Sequence, residues 1–363
     1  MSFTKFKRWF VILACAAFGG ACMDYGPYEV EDFGITGSGL FITNEGNFMY
    51  GNASLSYYDP EKKQVENEIF FRANGFKLGD VAQSMVIRDG IGWIVVNNSG
   101  VIYAIDIDTF KEVGRIEGFT SPRYIHFLSD TKAYVTDLFS PYITVFDPRT
   151  CKITGAIHTG QAPSTGSYNS TEQMAQYDKW VFVNCWSYSN KILVIDSDQD
   201  KVVHEIELRS IQPNSLVVDR NGKLWALTDG GYAGSEYGQT EPCLYRIDAA
   251  TWRVEQEFVF EKEEYPSELC INGAGDVLYF INDGICKMSV TAAHAPVRPL
   301  IPNERRHQIY GLAVDPTSGE IYVGDAIDFE QPGVVYRYRD TGQSAELVDS
   351  FGVGMLPSAF AFK

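Results

Sequence analysis

Aromatic rings and carboxamides recur together at five places far apart in the chain, a combination suited to gripping a flat or large ligand rather than to making and breaking bonds. The rings are Phe48 and Tyr50, Phe139 and Tyr142, Trp186 and Tyr188, Tyr232 and Tyr237, and Phe329; among them stand Asn44, Asn47, Asn52, Asn98, Ser187 and Asn190. Ring faces supply contact area and amides fix orientation. About half of these rings are expected to pack loop against loop. Arg123, Gln212, Asn214, Tyr265, Glu268, Arg306, His307 and Tyr310 add polar and charged groups. Of these, Arg123, Arg306 and His307 could meet an anion, or stand as ion-paired rim residues. Glu45, Asn97, Asp137, Asn214 and Glu268 could surround a calcium-like ion, as in a lactonase, or could equally be turn formers.

Patterns that mark a reactive centre are thin. The five histidines, His126, His158, His204, His294 and His307, never fall at the i, i+2 or i, i+4 spacing of a metal pair. There is no G-x-S-x-G, and the glycine pairs lie in turns with no helix to follow, so neither a nucleophile elbow nor a phosphate loop is supported. The expectation is a binding protein with no catalytic residues, no resident metal and no cofactor.

The chain has 363 residues, 45% of them apolar, 14% aromatic and 21% charged, enough to bury a core and too apolar for disorder. A formal charge of −17 repels phosphate backbones and makes a nucleic-acid role unsuited. Lys5, Lys7 and Arg8 precede an uncharged apolar run over residues 9–20, too short to span a bilayer, which reads as a secretion signal over residues 1–21. Gly19, Gly20 and Ala21 then lead to Cys22, a sequence resembling a lipoprotein processing site, with ordinary cleavage near Ala21 as the alternative. Residues 22–38 follow as a lipidated tether, and the acidic residues Asp24, Glu29, Glu31 and Asp32 resemble a surface-export signal of lipoproteins in the Bacteroidetes. Cys151, Cys185, Cys243, Cys270 and Cys286 are odd in number and widely spaced, with no C-x-x-C, so they read as small buried hydrophobes or, for one pair, a disulfide.

What must position the rings is an internal repeat. A short strand ending in aspartate recurs at Tyr58-Asp59, Ile105-Asp106, Phe146-Asp147, Ile195-Asp196 and Ile247-Asp248, at spacings of 47, 41, 49 and 52 residues. Degenerate copies at 287–290 and 336–339 bring the number to seven. Each copy follows a strand of alternating or wholly apolar residues and precedes a third strand, and turns such as Asp89-Gly90 and Asn221-Gly222 join them. Four-stranded units of this length predict an all-β, seven-bladed β-propeller over residues 39–363, with a β-sandwich plus a small domain as the competitor. No inner strand precedes Leu40, and Leu356-Pro357-Ser358 repeats the opening seen at Ser121-Pro122, so the C-terminus is expected to close the ring. In such a ring the loops between second and third strands, here long at 44–52, 137–141, 185–190, 229–242 and 325–333, share one face with the junctions between blades. That face carries the aromatic set.

The units around Thr144-Val145-Phe146-Asp147 and Ile153 to Gly160 resemble YncE-like propellers. The opening Asn44-Glu45-Gly46-Asn47, with Gly51-Asn52-Ala53-Ser54 and Tyr57-Tyr58-Asp59-Pro60, resembles Bacteroidetes surface lipoproteins of the BtuG type. The resemblance implies a lipid-anchored protein on the outer face of the outer membrane, which captures vitamin B12 or related corrinoids and passes them to a TonB-dependent transporter of the BtuB type. On this reading Phe48, Tyr50, Asn52, Arg123, Phe139, Trp186, Tyr188, Tyr232, Tyr237 and Phe329 are the candidate ligand-binding residues and Cys22 the lipidated one. A surface glycan- or protein-binding module and a metal-assisted lactonase are the alternatives.

Overall fold

The computed structural model describes residues 29–160, 169–304 and 307–363. The secretion signal, Cys22 and Arg306 lie outside them. Seven four-stranded antiparallel sheets form a ring, as the repeat predicts. The first blade combines Leu40–Asn44, Ser54–Asp59 and Gln64–Glu66 with an inner strand from the far end of the chain, Pro357–Phe362. The inner strands of the next six blades are Ala82–Arg88, Pro122–Ser129, Thr171–Tyr177, Pro213–Val218, Ser267–Ile271 and Ile309–Val314.

The repeated aspartate is explained by the turn it makes. Asp59 Oδ1 accepts the backbone N–H groups of Glu61 and Lys62, Asp106 Oδ1 those of Asp108 and Thr109, and Asp147 Oδ1 that of Arg149. Asp196 and Asp248 do the same for Asp198 and Thr251. Each carboxylate thus supplies the acceptors that a tight turn leaves its own N–H groups without. The degenerate copies keep the device: Asp340 Oδ1 accepts from Gly342, and Ser289 Oγ, a hydroxyl in place of a carboxylate, from Thr291.

Middle strands such as Leu40–Asn44 and Lys191–Asp196 are buried along their whole length, because each blade is covered by a neighbour on both faces. Seven apolar clusters result, one in each interface between blades; Trp93 meets Phe146 in one and Tyr58 meets Tyr322 in another. Outer strands face water and alternate or lose the pattern, as in Lys152–His158. Cys151, Cys185, Cys243, Cys270 and Cys286 are free thiols within this packing.

One element differs from four strands per unit. The outer strand of the first blade stops after Glu66, and a helix, Ile69–Asn74, turns Ile69, Phe70 and Ala73 into the interface between the first two blades. Gly75, at φ 75°, ends it with an N–H to Phe71 O. Fewer than two turns give too little periodicity to read from residue pattern. Residues 31–39 cross the face opposite the long loops: Glu31 N–H donates to Arg72 O, Ile35 N–H to Asp108 O, and Phe33 packs 5.0 Å from Phe110.

The closing strand fits because the last blade presents backbone to it. A Cβ on Gly311 would lie 2.5 Å from Ser358 O, and one on Gly324 would press on the Pro357 carbonyl. Gly311→Ala and Gly324→Ala are each expected to cost about 1–3 kcal/mol, as overpacking does. Urea unfolding at equilibrium checks this, and an unchanged midpoint in both variants contradicts the closeness of the joint.

Candidate functional site

Every inner strand begins with a break in its ladder. Pairing with the second strand shifts between Ala82 and Ser84, Pro122 and Ile125, Thr171 and Met174, Pro213 and Ser215, Ser267 and Cys270, and Ile309 and Gly311; in the first blade Ser358 is skipped between Pro357 and Ala359. A bulge re-aims the side chain it releases. The first residue released in each blade is Gln83, Arg123, Glu172, Asn214, Glu268, Tyr310 or Ser358, with Tyr124, Gln173 and Leu269 skipped as well in three blades, and these first seven line a cavity of about 790 Å³ at the channel mouth. The long loops add Glu45, Phe48, Trp186 and Asp229 to its wall.

Parts of this polar ring are tied together. Arg123 Nε donates to Glu172 Oε2 at 2.8 Å and its Nη1 to Gln83 Oε1, so one guanidinium bridges three blades. Tyr310 Oη donates to Glu45 Oε2 at 2.7 Å. Trp186 Nε1 and Gln212 Nε2 both donate to Asp229, at 3.1 and 2.9 Å. Burial pushes the Glu45 carboxyl up, with Tyr310 and Arg123 pulling the other way. Burial likewise raises Glu172 against the pull of Arg123. Glu268 is pushed up to about 8, first by burial and then by the charges of Glu45 and Glu172. It is half-buried by accessible area, since it faces the channel, yet protein surrounds it.

Above the ring the aromatic set divides. Phe48, 63% exposed, and Trp186 line the main cavity; Tyr232, 51% exposed, lines an adjoining one of about 270 Å³ with Tyr265, Gln212 and Asn214. Tyr188 stacks on Tyr237 with centroids 4.0 Å apart, and Phe329 stands edge-on to Tyr310. Tyr50 and Phe139 are exposed but line neither cavity. Asn52 accepts from Asn47 N–H at 2.8 Å and donates to Asn47 Oδ1 within its own loop, and its amide also donates to Met355 Sδ at 3.2 Å, ahead of the closing strand. Asn47 in turn donates to Phe329 O, joining the loops of the first and last blades. Arg123 lies within the channel with Glu172 rather than at the rim, and His307 Nδ1 sits 2.5 Å from Asp325 Oδ2.

The acid and amide residues considered for a metal are also parted. Glu45, Asn97, Asn214 and Glu268 line the cavity, whereas Asp137 accepts the N–H groups of Thr120, Ser121 and Phe139. Among the described residues no three His, Cys, Asp or Glu side chains are grouped so as to hold a metal ion. Gln83, Glu172 and Ser358 are the ring members that residue type did not single out. Their common signal is position, the residue after the small or proline residue that opens an inner strand.

Residues 38–335 match the family described as Domain of unknown function (DUF5074). The chain belongs to that family. No curated protein matches it. Solved structures of similar shape include a quinoprotein alcohol dehydrogenase-like protein of Bacteroides thetaiotaomicron, 16% identical over 89% of this chain and 77% of that one, with a TM-score of 0.66. Hydrazine synthase of Kuenenia stuttgartiensis is 16% identical over 77% of this chain and 88% of that chain (TM-score 0.59). The dihydro-heme d1 dehydrogenase NirN in complex with DHE is 10% identical over 92% and 76% (TM-score 0.57). At these identities the likeness is one of fold.

Proposed function

We propose that this DUF5074 propeller is a capture protein that takes a large, rigid, amide-bearing ligand of the corrinoid class on its long-loop face. The observation that carries the reading is the placement of exposed rings. Of the nine exposed aromatic side chains among the described residues, Phe48, Tyr50, Phe139, Tyr142, Tyr232, Tyr237, Tyr265 and Phe329 are on that face, and Phe76 is elsewhere. Exposed rings beside a polar cavity, as Phe48, Tyr232 and Tyr265 stand here, are the usual mark of a binding surface. A corrin offers a broad apolar plane to such rings and peripheral amides to the polar ring beneath, and a rigid ligand loses little entropy on docking. The opening motif that resembles BtuG-type lipoproteins and the YncE-like units support the same reading.

With Cys22 acylated, the chain would be anchored to the outer membrane at the cell surface. Residues 31–39 run under the face opposite the rings, which suits presentation of the mouth away from the anchor and toward incoming ligand and a TonB-dependent transporter of the BtuB type. NirN, a protein of similar shape, is described in complex with DHE.

Calorimetric titration with cyanocobalamin tests the proposal. Saturable binding is expected, weakened about thirtyfold by Phe48→Ala and by Tyr232→Ala, as truncation of an aromatic anchor worth about 2 kcal/mol gives. Both side chains are exposed, so the fold should not change. Absence of heat at tens of micromolar (~10⁻⁵ M, near −7 kcal/mol) overturns the corrinoid reading and favours a glycan- or protein-binding module.

A further inference from the structure

The channel floor holds more acid than its own base can match. Glu45, Glu172 and Glu268 face one cavity with Arg123 as the neighbouring cation. Arg123 satisfies Glu172 Oε2, but Glu172 is only 4% exposed and its Oε1 has no hydrogen-bond partner. A buried acceptor of this kind costs free energy unless something donates to it. Glu268 also accepts no hydrogen bond among the described residues. Rings stand near by, since Tyr124, Trp186 and Phe360 share the cavity wall.

We infer that the channel beneath the aromatic mouth is a site for a small organic cation bearing a primary ammonium group, held by Glu172, Glu268 and Glu45. Such a group carries three N–H donors for acceptors spread over three blades, and its charge offsets the surplus of carboxylates. Ring faces add attraction for a cation. Arg123 argues against a bare metal ion, since it already occupies one carboxylate oxygen and repels a second dense charge. The site goes beyond the corrinoid reading and does not depend on it.

A proton accompanies the ligand. The groups that face Glu268 are Glu45, Glu172, Arg123, Tyr124, Tyr310 and Cys270. With its carboxyl raised to about 8, Glu268 is mostly neutral at pH 7 and must ionise to hold an ammonium. Affinity therefore rises with pH, by roughly tenfold between pH 7 and 9, and binding at pH 7 releases close to one proton.

The test uses the whole chain and 1,4-diaminobutane as the probe, titrated calorimetrically at pH 7 and pH 9 with n-butanol as the uncharged control. Expected are saturable binding of the diamine, none of the alcohol, and the tenfold gain with pH. Glu268→Gln should weaken binding at pH 9 about tenfold to a hundredfold and remove the pH dependence. Because that substitution breaks no hydrogen bond, folding is not at issue, and Glu172→Gln serves as the second variant with its melting curve as control. No saturable heat at about 10 mM diamine (near −3 kcal/mol) overturns the inference, as does equal binding of butanol or a pH dependence that survives Glu268→Gln. Cyanocobalamin titrated into the same samples keeps the two readings apart: cobalamin bound with diamine silent removes only this one, and the reverse removes only the corrinoid reading.

Discussion

Removal of residues 357–363 is expected to abolish cooperative folding of the whole ring. That segment supplies the inner strand of the first blade, paired with Leu40–Asn44 from Leu40 opposite Phe362 to Asn44 opposite Pro357. Without it, a strand whose five residues are all buried becomes an open edge on the channel, with Phe41 and Ile42 near water. The interfaces on both sides lose packing too, since Ala361 belongs to the cluster between the first two blades and Phe360 and Phe362 pack on the cluster shared with the seventh. Lys363 also ties Ile35 O and Asp108 to the seam. At about 1.5–3 kcal/mol for each large apolar side chain, the loss is comparable with the ~5–15 kcal/mol that separates folded from unfolded chains. Circular dichroism on heating should show no cooperative transition, and a synthetic peptide of residues 356–363 added in excess should restore one. A truncated chain that melts at the parent temperature contradicts closure by the C-terminal strand.

The second large effect is a pH-dependent gain in stability from Glu268→Gln. In the folded ring this carboxyl titrates near 8, whereas in the unfolded chain it returns to its ordinary value of 4.5. Between those values the folded state holds a proton that the unfolded state has lost, so stability falls as pH rises through the window and levels above it. Glutamine keeps the shape and removes the titration. Parent and variant are expected to be near equal at pH 4.5, and the variant should be more stable by roughly 2–4 kcal/mol at pH 9, a range reduced for the water that reaches the channel. Urea unfolding of both proteins at pH 4.5, 7 and 9 measures the difference directly. A difference that does not change with pH would falsify the placement of Glu268 among Glu45 and Glu172.

Much of the fold was legible because its determinants are local. An aspartate that binds N–H groups two or three residues on, as Asp106 does for Asp108 and Thr109, leaves its mark at one place in the chain, and six such aspartates with Ser289 in the same role count the seven blades. The join at Pro357-Ser358 was legible for the same reason, since it repeats the local opening of the other blades. The helix Ile69–Asn74 was not, because its role is to fill an interface left open by a short outer strand, and that gap exists only between two assembled blades.

The candidate site divides along the same line. The repeat and residue type together placed Phe48, Trp186 and Tyr232 on the long-loop face, where they line cavities, but could not tell that Asn52 is taken up by Asn47 and Met355 or that Arg123 is neutralised by Glu172. By itself the sequence determined the repeat, the number of blades, the closing strand and the face on which the rings gather, all through turn chemistry and alternation that act within a few residues. Only the tertiary structure decided the ring of Gln83, Arg123, Glu172, Asn214, Glu268, Tyr310 and Ser358, because a break in each inner ladder frees the residue after the strand's first, and the closure of seven strands, dozens of residues apart, is what sets those side chains around one channel and shifts their charges.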